Sequence, residues 1–132
     1  MTHIFILYIS SIIIFVILDL LWLGVIARGF YKKYIGYLLG EVNWVAAIIF
    51  YALFLAGLTF FVTYPLRDAE LLKVAYTGAF FGLITYATYD LTNHATVNGW
   101  PWQVTIVDMV WGGALGCAVS LCAVLAYRAI VG

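Results

Sequence analysis

Residues 4–27 read IFILYISSIIIFVILDLLWLGVIA, an apolar run broken by one charge, Asp19. A helix that crosses a bilayer needs about 20 mainly apolar residues, and this run exceeds that length. It does not alternate as a membrane β-strand would. It also lacks the basic start and small-residue cleavage site of a signal peptide, so it reads as a retained helix. Three further runs follow at about 42–64, 72–95 and 103–127. Composition agrees: 67% of residues are hydrophobic, 9% are charged and the mean hydropathy is +1.11. Soluble domains carry about 25% charged residues. The expected fold is therefore an all-α integral membrane four-helix bundle, one transmembrane domain over residues 1–132.

The connections are short. The first, Arg28–Glu41, sets Phe30, Tyr31, Tyr34, Tyr37 and Leu38 at helical spacing among Arg28, Lys32 and Lys33. That pattern predicts a short interfacial helix. The second, around Pro65–Glu70, reads as a polar turn. The third, Thr96–Trp102, holds Asn98-Gly99, a turn signal. It also holds Trp100 and Trp102, which suit the aromatic belt of a membrane surface. Arg28, Lys32 and Lys33 on one side face Arg67, Lys73 and Arg128 on the other, a tie that fixes no orientation. The net charge is zero, so the lipid bilayer is the implied partner and nucleic acid is not. Cys117 and Cys122 point in different directions, because five residues turn a helix by about 500°. They form neither a metal pair nor an obvious disulfide.

Asp19, Asp90 and Asp108 are the costly residues. A carboxylate at the centre of a membrane helix costs about 2.5 to 3.5 kcal/mol on insertion scales. Asp19 precedes Arg28 by nine residues, which places it about 13 Å below the first loop. Asp90 precedes Thr96 by six and Asp108 follows Trp102 by six, so each lies about 9 Å below the third loop. Both loops are on one side, and all three carboxyls fall in one leaflet.

Helical spacing adds neighbours. Tyr86, Asp90, Asn93 and His94 share a face of the third span. Trp22 flanks Asp19 and Trp111 flanks Asp108. The expectation is an acidic pocket that opens toward the first and third loops. Asp19, Asp90, Asn93, His94 and Asp108 are its ligand- or ion-binding candidates, and Trp22, Tyr86, Tyr89, Trp102 and Trp111 its walls. Three carboxylates so close cannot all ionise without a cation. The plainer alternative is that each aspartate bonds a neighbouring helix and locks the bundle. Gly78 and Gly82, and Gly112, Gly116 and Ser120, form small-residue rows that let helices approach closely. These rows serve packing within the chain or a homodimer. Residues 17–24 and 106–113 both carry Asp-x-x-Trp, but their helices run in opposite directions, so the match does not read as a transporter repeat.

The segment Tyr89-Asp90-Leu91-Thr92-Asn93-His94-Ala95-Thr96, with Asp108 and Trp111 after it and Asp19 and Trp22 before it, resembles a family of small bacterial four-span proteins. The family is known only as predicted membrane proteins with a domain of unknown function. The resemblance covers nearly the whole chain. It implies a multi-pass protein of the bacterial inner membrane and brings no established activity. A weak hint toward lipid chemistry comes from the fatty-acid-modifying methyltransferases encoded beside some members.

Three functions compete. The pocket binds or transports a proton, a cation, a polar or cationic small molecule, or a lipid head group. Alternatively, an aspartate pair performs acid–base chemistry on a lipid or isoprenoid, with Asp90 and Asp108 as the pair. Or the chain is a structural accessory subunit. No nucleotide, haem or flavin motif is present, and the cofactor is open. Metal catalysis would call for more histidine than His94, since His3 lies at the terminus.

Overall fold

A computed structural model describes all residues, Met1–Gly132. The chain is all-α. Helix α1 (Thr2–Leu21) continues into a π-helical turn, Trp22–Ile26. A short helix α2 (Arg28–Ile35) and one 3₁₀ turn, Gly36–Leu38, follow. Helix α3 (Trp44–Leu58) also ends in a π turn, Thr59–Thr63. Helices α4 (Leu71–Thr96) and α5 (Trp102–Val131) complete the chain. Four segments are long and apolar enough to cross a membrane: Thr2–Ile26, Trp44–Thr63, Leu71–Thr96 and Trp102–Val131. They coincide with the four apolar runs to within a few residues.

Local chemistry sets the ends. The Asn43 side chain accepts the Ala46 N–H at 3.1 Å and so caps α3. This satisfies one of the free N–H groups at a helix start. Gly99 has φ +75°, as the Asn98-Gly99 turn requires. Its carbonyl accepts from the Tyr37 hydroxyl at 2.8 Å, tying the first loop to the third. Each π turn closes a bond one residue longer than the α pattern: Ala27 N–H to Trp22 O at 2.8 Å, and Tyr64 N–H to Thr59 O at 2.9 Å.

The buried stripes explain where the carboxyls point. In α1 the stripe is one residue per turn, Leu7, Ser11, Phe15 and Asp19. In α4 it is Val74, Gly78, Gly82 and Asp90. Helix α5 is the central one, burying two residues in most turns, Asp108 among them. Residues on the other faces are exposed and apolar, Ile13, Phe61 and Val110 for example. An outer surface of this kind suits lipid, because in hydrocarbon the helix satisfies its own backbone.

The glycine rows join α4 to α5. A Cβ on Gly82 would overlap the Gly112 carbonyl, one on Gly116 the Gly78 carbonyl, and one on Gly78 the Ser120 side chain. Helix α3 is held more loosely. Phe54, Leu55, Leu58 and Val62 in its second half pack with Phe15, Leu115 and Val119. Its first half, with Trp44, Val45, Ile48 and Ile49, is exposed. Helix α2 lies over the end of the bundle, where Ile35 packs with Trp100 and Val104.

Candidate functional site

Asp19, Asp90 and Asp108 are all buried, with Asp90 at 0% exposure. The α1, α4 and α5 stripes converge at one end of the bundle and bring the three together. Asp108 lies beside both of the others. Their surroundings differ. The Tyr51 hydroxyl, from α3, donates to Asp19 Oδ2 at 3.0 Å. The Tyr31 hydroxyl, from α2, donates to Asp108 Oδ1 and accepts from Trp22 Nε1 at 2.9 Å. Neither oxygen of Asp90 has a hydrogen-bond partner. Buried polar groups are nearly always satisfied, so this carboxyl stands out.

The two Asp-x-x-Trp segments meet. Helices α1 and α5 run antiparallel, and three residues of rise is about 4.5 Å. That rise brings each tryptophan to the level of the other helix's aspartate. Trp111 lies beside Asp19. Trp22 serves the Tyr31–Asp108 pair. The two indoles stack face to face, with centroids 4.3 Å apart and planes 5° from parallel. The Trp111 N–H is buried without an acceptor. The tryptophan stack and Tyr31 cover the carboxyls on the side of the first and third loops.

Tyr31 and Tyr51 were absent from the candidates drawn from sequence. Tyr31 sits on α2 at helical spacing with Tyr34, which marked it as an interfacial aromatic. Tyr51 is one of many aromatics in an apolar span. Nothing local in either stretch announces a carboxylate partner 77 or 32 residues away. Burial pushes the Tyr31 phenol above its ordinary range, and the Asp108 hydrogen bond and charge add to this. Tyr31 therefore enters the cluster as a neutral donor at ordinary pH.

The other candidates are spread more widely. His94 turns to α5: its Nδ1 is 2.9 Å from Thr105 Oγ1, and its ring lies 3.9 Å from that of Trp102. Trp100 Nε1 donates to the same Thr105 hydroxyl at 3.1 Å. These residues form a second polar group, one turn nearer the loops than Asp108. Asn93 is half-buried beside Tyr89. Tyr89 and Trp102 are exposed, while Tyr86 packs inward against Gly112 and Phe54. No group of three His, Cys, Asp or Glu side chains has the geometry to hold a metal ion.

Four apolar helices around a buried polar cluster define a multi-pass integral membrane protein. The chain belongs to the family described as predicted membrane protein DUF2177, whose profile matches residues 4–125. No curated protein and no solved structure matches it.

Proposed function

We propose that the protein holds a proton or another small cation within one leaflet, at the Asp90–Asp108 pair. Occupancy of this site drives the binding or movement of a polar or cationic solute. One observation carries the reading: Asp90 is wholly buried, both its oxygens lack partners, and Asp108 lies beside it. Two adjacent buried carboxylates repel, and removal from water penalises each charge. A proton or cation between them relieves both costs. Tyr31 and Trp22 keep the other side of Asp108 neutral and dry. Asp19, with Tyr51, forms a second station nearby.

The bacterial inner membrane is part of this reading and rests on the sequence resemblance. A homodimer through the glycine rows has less support, since those rows are filled by α4–α5 packing within one chain.

Infrared spectroscopy of the protein in nanodiscs tests the site. A carboxylic-acid C=O band is expected at neutral pH and should disappear in Asp90→Asn. In proteoliposomes with an imposed pH difference, wild type should dissipate the difference faster than Asp90→Asn. Fully ionised carboxyls with no bound cation, together with equal proton leakage in both proteins, would sink the reading.

A further inference from the structure

The loose seating of α3 leaves a cleft along α1. Its lower part, about 340 Å³, is lined by Phe5, Tyr8, Ala56 and Phe60 among others. Its upper part, about 210 Å³, is lined by Tyr8, Val16, Ile48, Tyr51 and Ala52 among others. Tyr8 belongs to both parts, and its hydroxyl donates to the Ala52 carbonyl at 3.2 Å, pinning the walls together midway. From Phe5 to Val16 the cleft runs about 17 Å along the helix axis. Apolar residues line nearly all of it, and its outer side faces the lipid.

The upper end is different in kind. Tyr51 lines the cleft, and its hydroxyl reaches the buried carboxyl of Asp19. No basic side chain meets the acidic cluster. The chain's salt bridge, Arg67 with Asp68 at 4.0 Å, is in the loop between α3 and α4. A narrow apolar slot that ends at unneutralised carboxyls complements a molecule with a chain and a positive head. An anionic head would be repelled there, and a neutral one would gain less.

We propose that the α1–α3 cleft binds a single-chain amphiphile with a cationic amine head, which enters sideways from the bilayer. The amine meets the Tyr51–Asp19 pair and the chain lies along Tyr8 toward Phe5 and Phe60. This rests on reading the acidic cluster as a cation site and names the class of cation. The loop side is covered by Tyr31 and the tryptophan stack, so the lateral route is the open one.

A dodecylamine with a photoactivatable group near its chain end is the probe, used with the protein in nanodiscs. Dodecanoic acid with the same group is the control. Peptides of α1 and α3 should be labelled, with the amine preferred about tenfold, the worth of one charge-assisted hydrogen bond. Asp19→Asn should erase that preference and leave the labelled positions unchanged. Ala52→Trp, which fills the cleft, should reduce labelling to background. Should that variant fail to fold, Ala56→Leu fills the lower part and should do the same. Equal labelling by amine and acid overturns the proposal, as does labelling that ignores both filling variants. The infrared band of Asp90 is read separately. Its presence without amine preference defeats the cleft alone, and its absence with amine preference defeats the shared-proton reading alone.

Discussion

The α4–α5 seam and the α1–α3 cleft border the same carboxyls and are built in opposite ways. The seam has no side chains to spare. Gly78, Gly82, Gly112 and Gly116 bring two backbones together, and Tyr86 closes over Gly112. The cleft keeps its side chains but lets them diverge: Ile48 is exposed while Tyr51 turns in to Asp19. A rigid seam holds Asp90 and Asp108 at a fixed spacing. A loose wall lets a third helix adjust around Asp19. A site that must hold two carboxyls together against repulsion and still admit something needs both kinds of construction.

Substitution in the seam should have the largest effect. Gly82→Val puts a side chain into the Gly112 carbonyl and should cost about 3 kcal/mol, the upper range for overpacking. A large loss of thermal stability in detergent checks it, and a near-native melting curve would show the seam to be soft. Tyr31→Phe comes next. It strips Asp108 of its donor and Trp22 of its acceptor, and should cost about 2 kcal/mol. Tryptophan fluorescence should shift as the Trp22–Trp111 stack loosens. Tyr51→Phe removes one hydrogen bond at the half-exposed wall and should cost about 1 kcal/mol in the same melt. If it costs more than Tyr31→Phe, the contrast between covered and open sides is wrong. Ile49→Ala, on the exposed first half of α3, should change stability by no more than about 0.5 kcal/mol.

The sequence carried the bundle and the depth of the carboxyls because both follow from one rule, the rise per residue of a helix. Counting from the loops is enough to place Asp19, Asp90 and Asp108 at one end. Counting also identifies residues that share a face, but not what that face meets. His94 is one turn from Asp90, yet it lies high enough on α4 to find Thr105 and Trp102 first. Tyr31 and Tyr51 were hidden for the converse reason. Their partners lie on other helices, and a tyrosine in an apolar span looks the same whether it faces lipid or a carboxylate. The Asp-x-x-Trp match was visible. Its meaning depended on antiparallel neighbours, because only then does each indole reach the other helix's acid.

The π turn at Trp22–Ile26 makes the cover on Asp108 a matter of residue arithmetic. A π turn is an α-helix with one residue too many. Deleting a single residue from this turn would restore regular winding and rotate all that follows by about 100°. Tyr31 would then swing off Asp108, and the loop side of the acidic cluster would lose its cover with no side chain of the cluster changed. Such a deletion should reproduce the fluorescence shift of Tyr31→Phe, and in proteoliposomes it should raise proton leakage above wild type. The length of the connection acts as a molecular spacer, set to one residue, that decides whether the carboxyls see water.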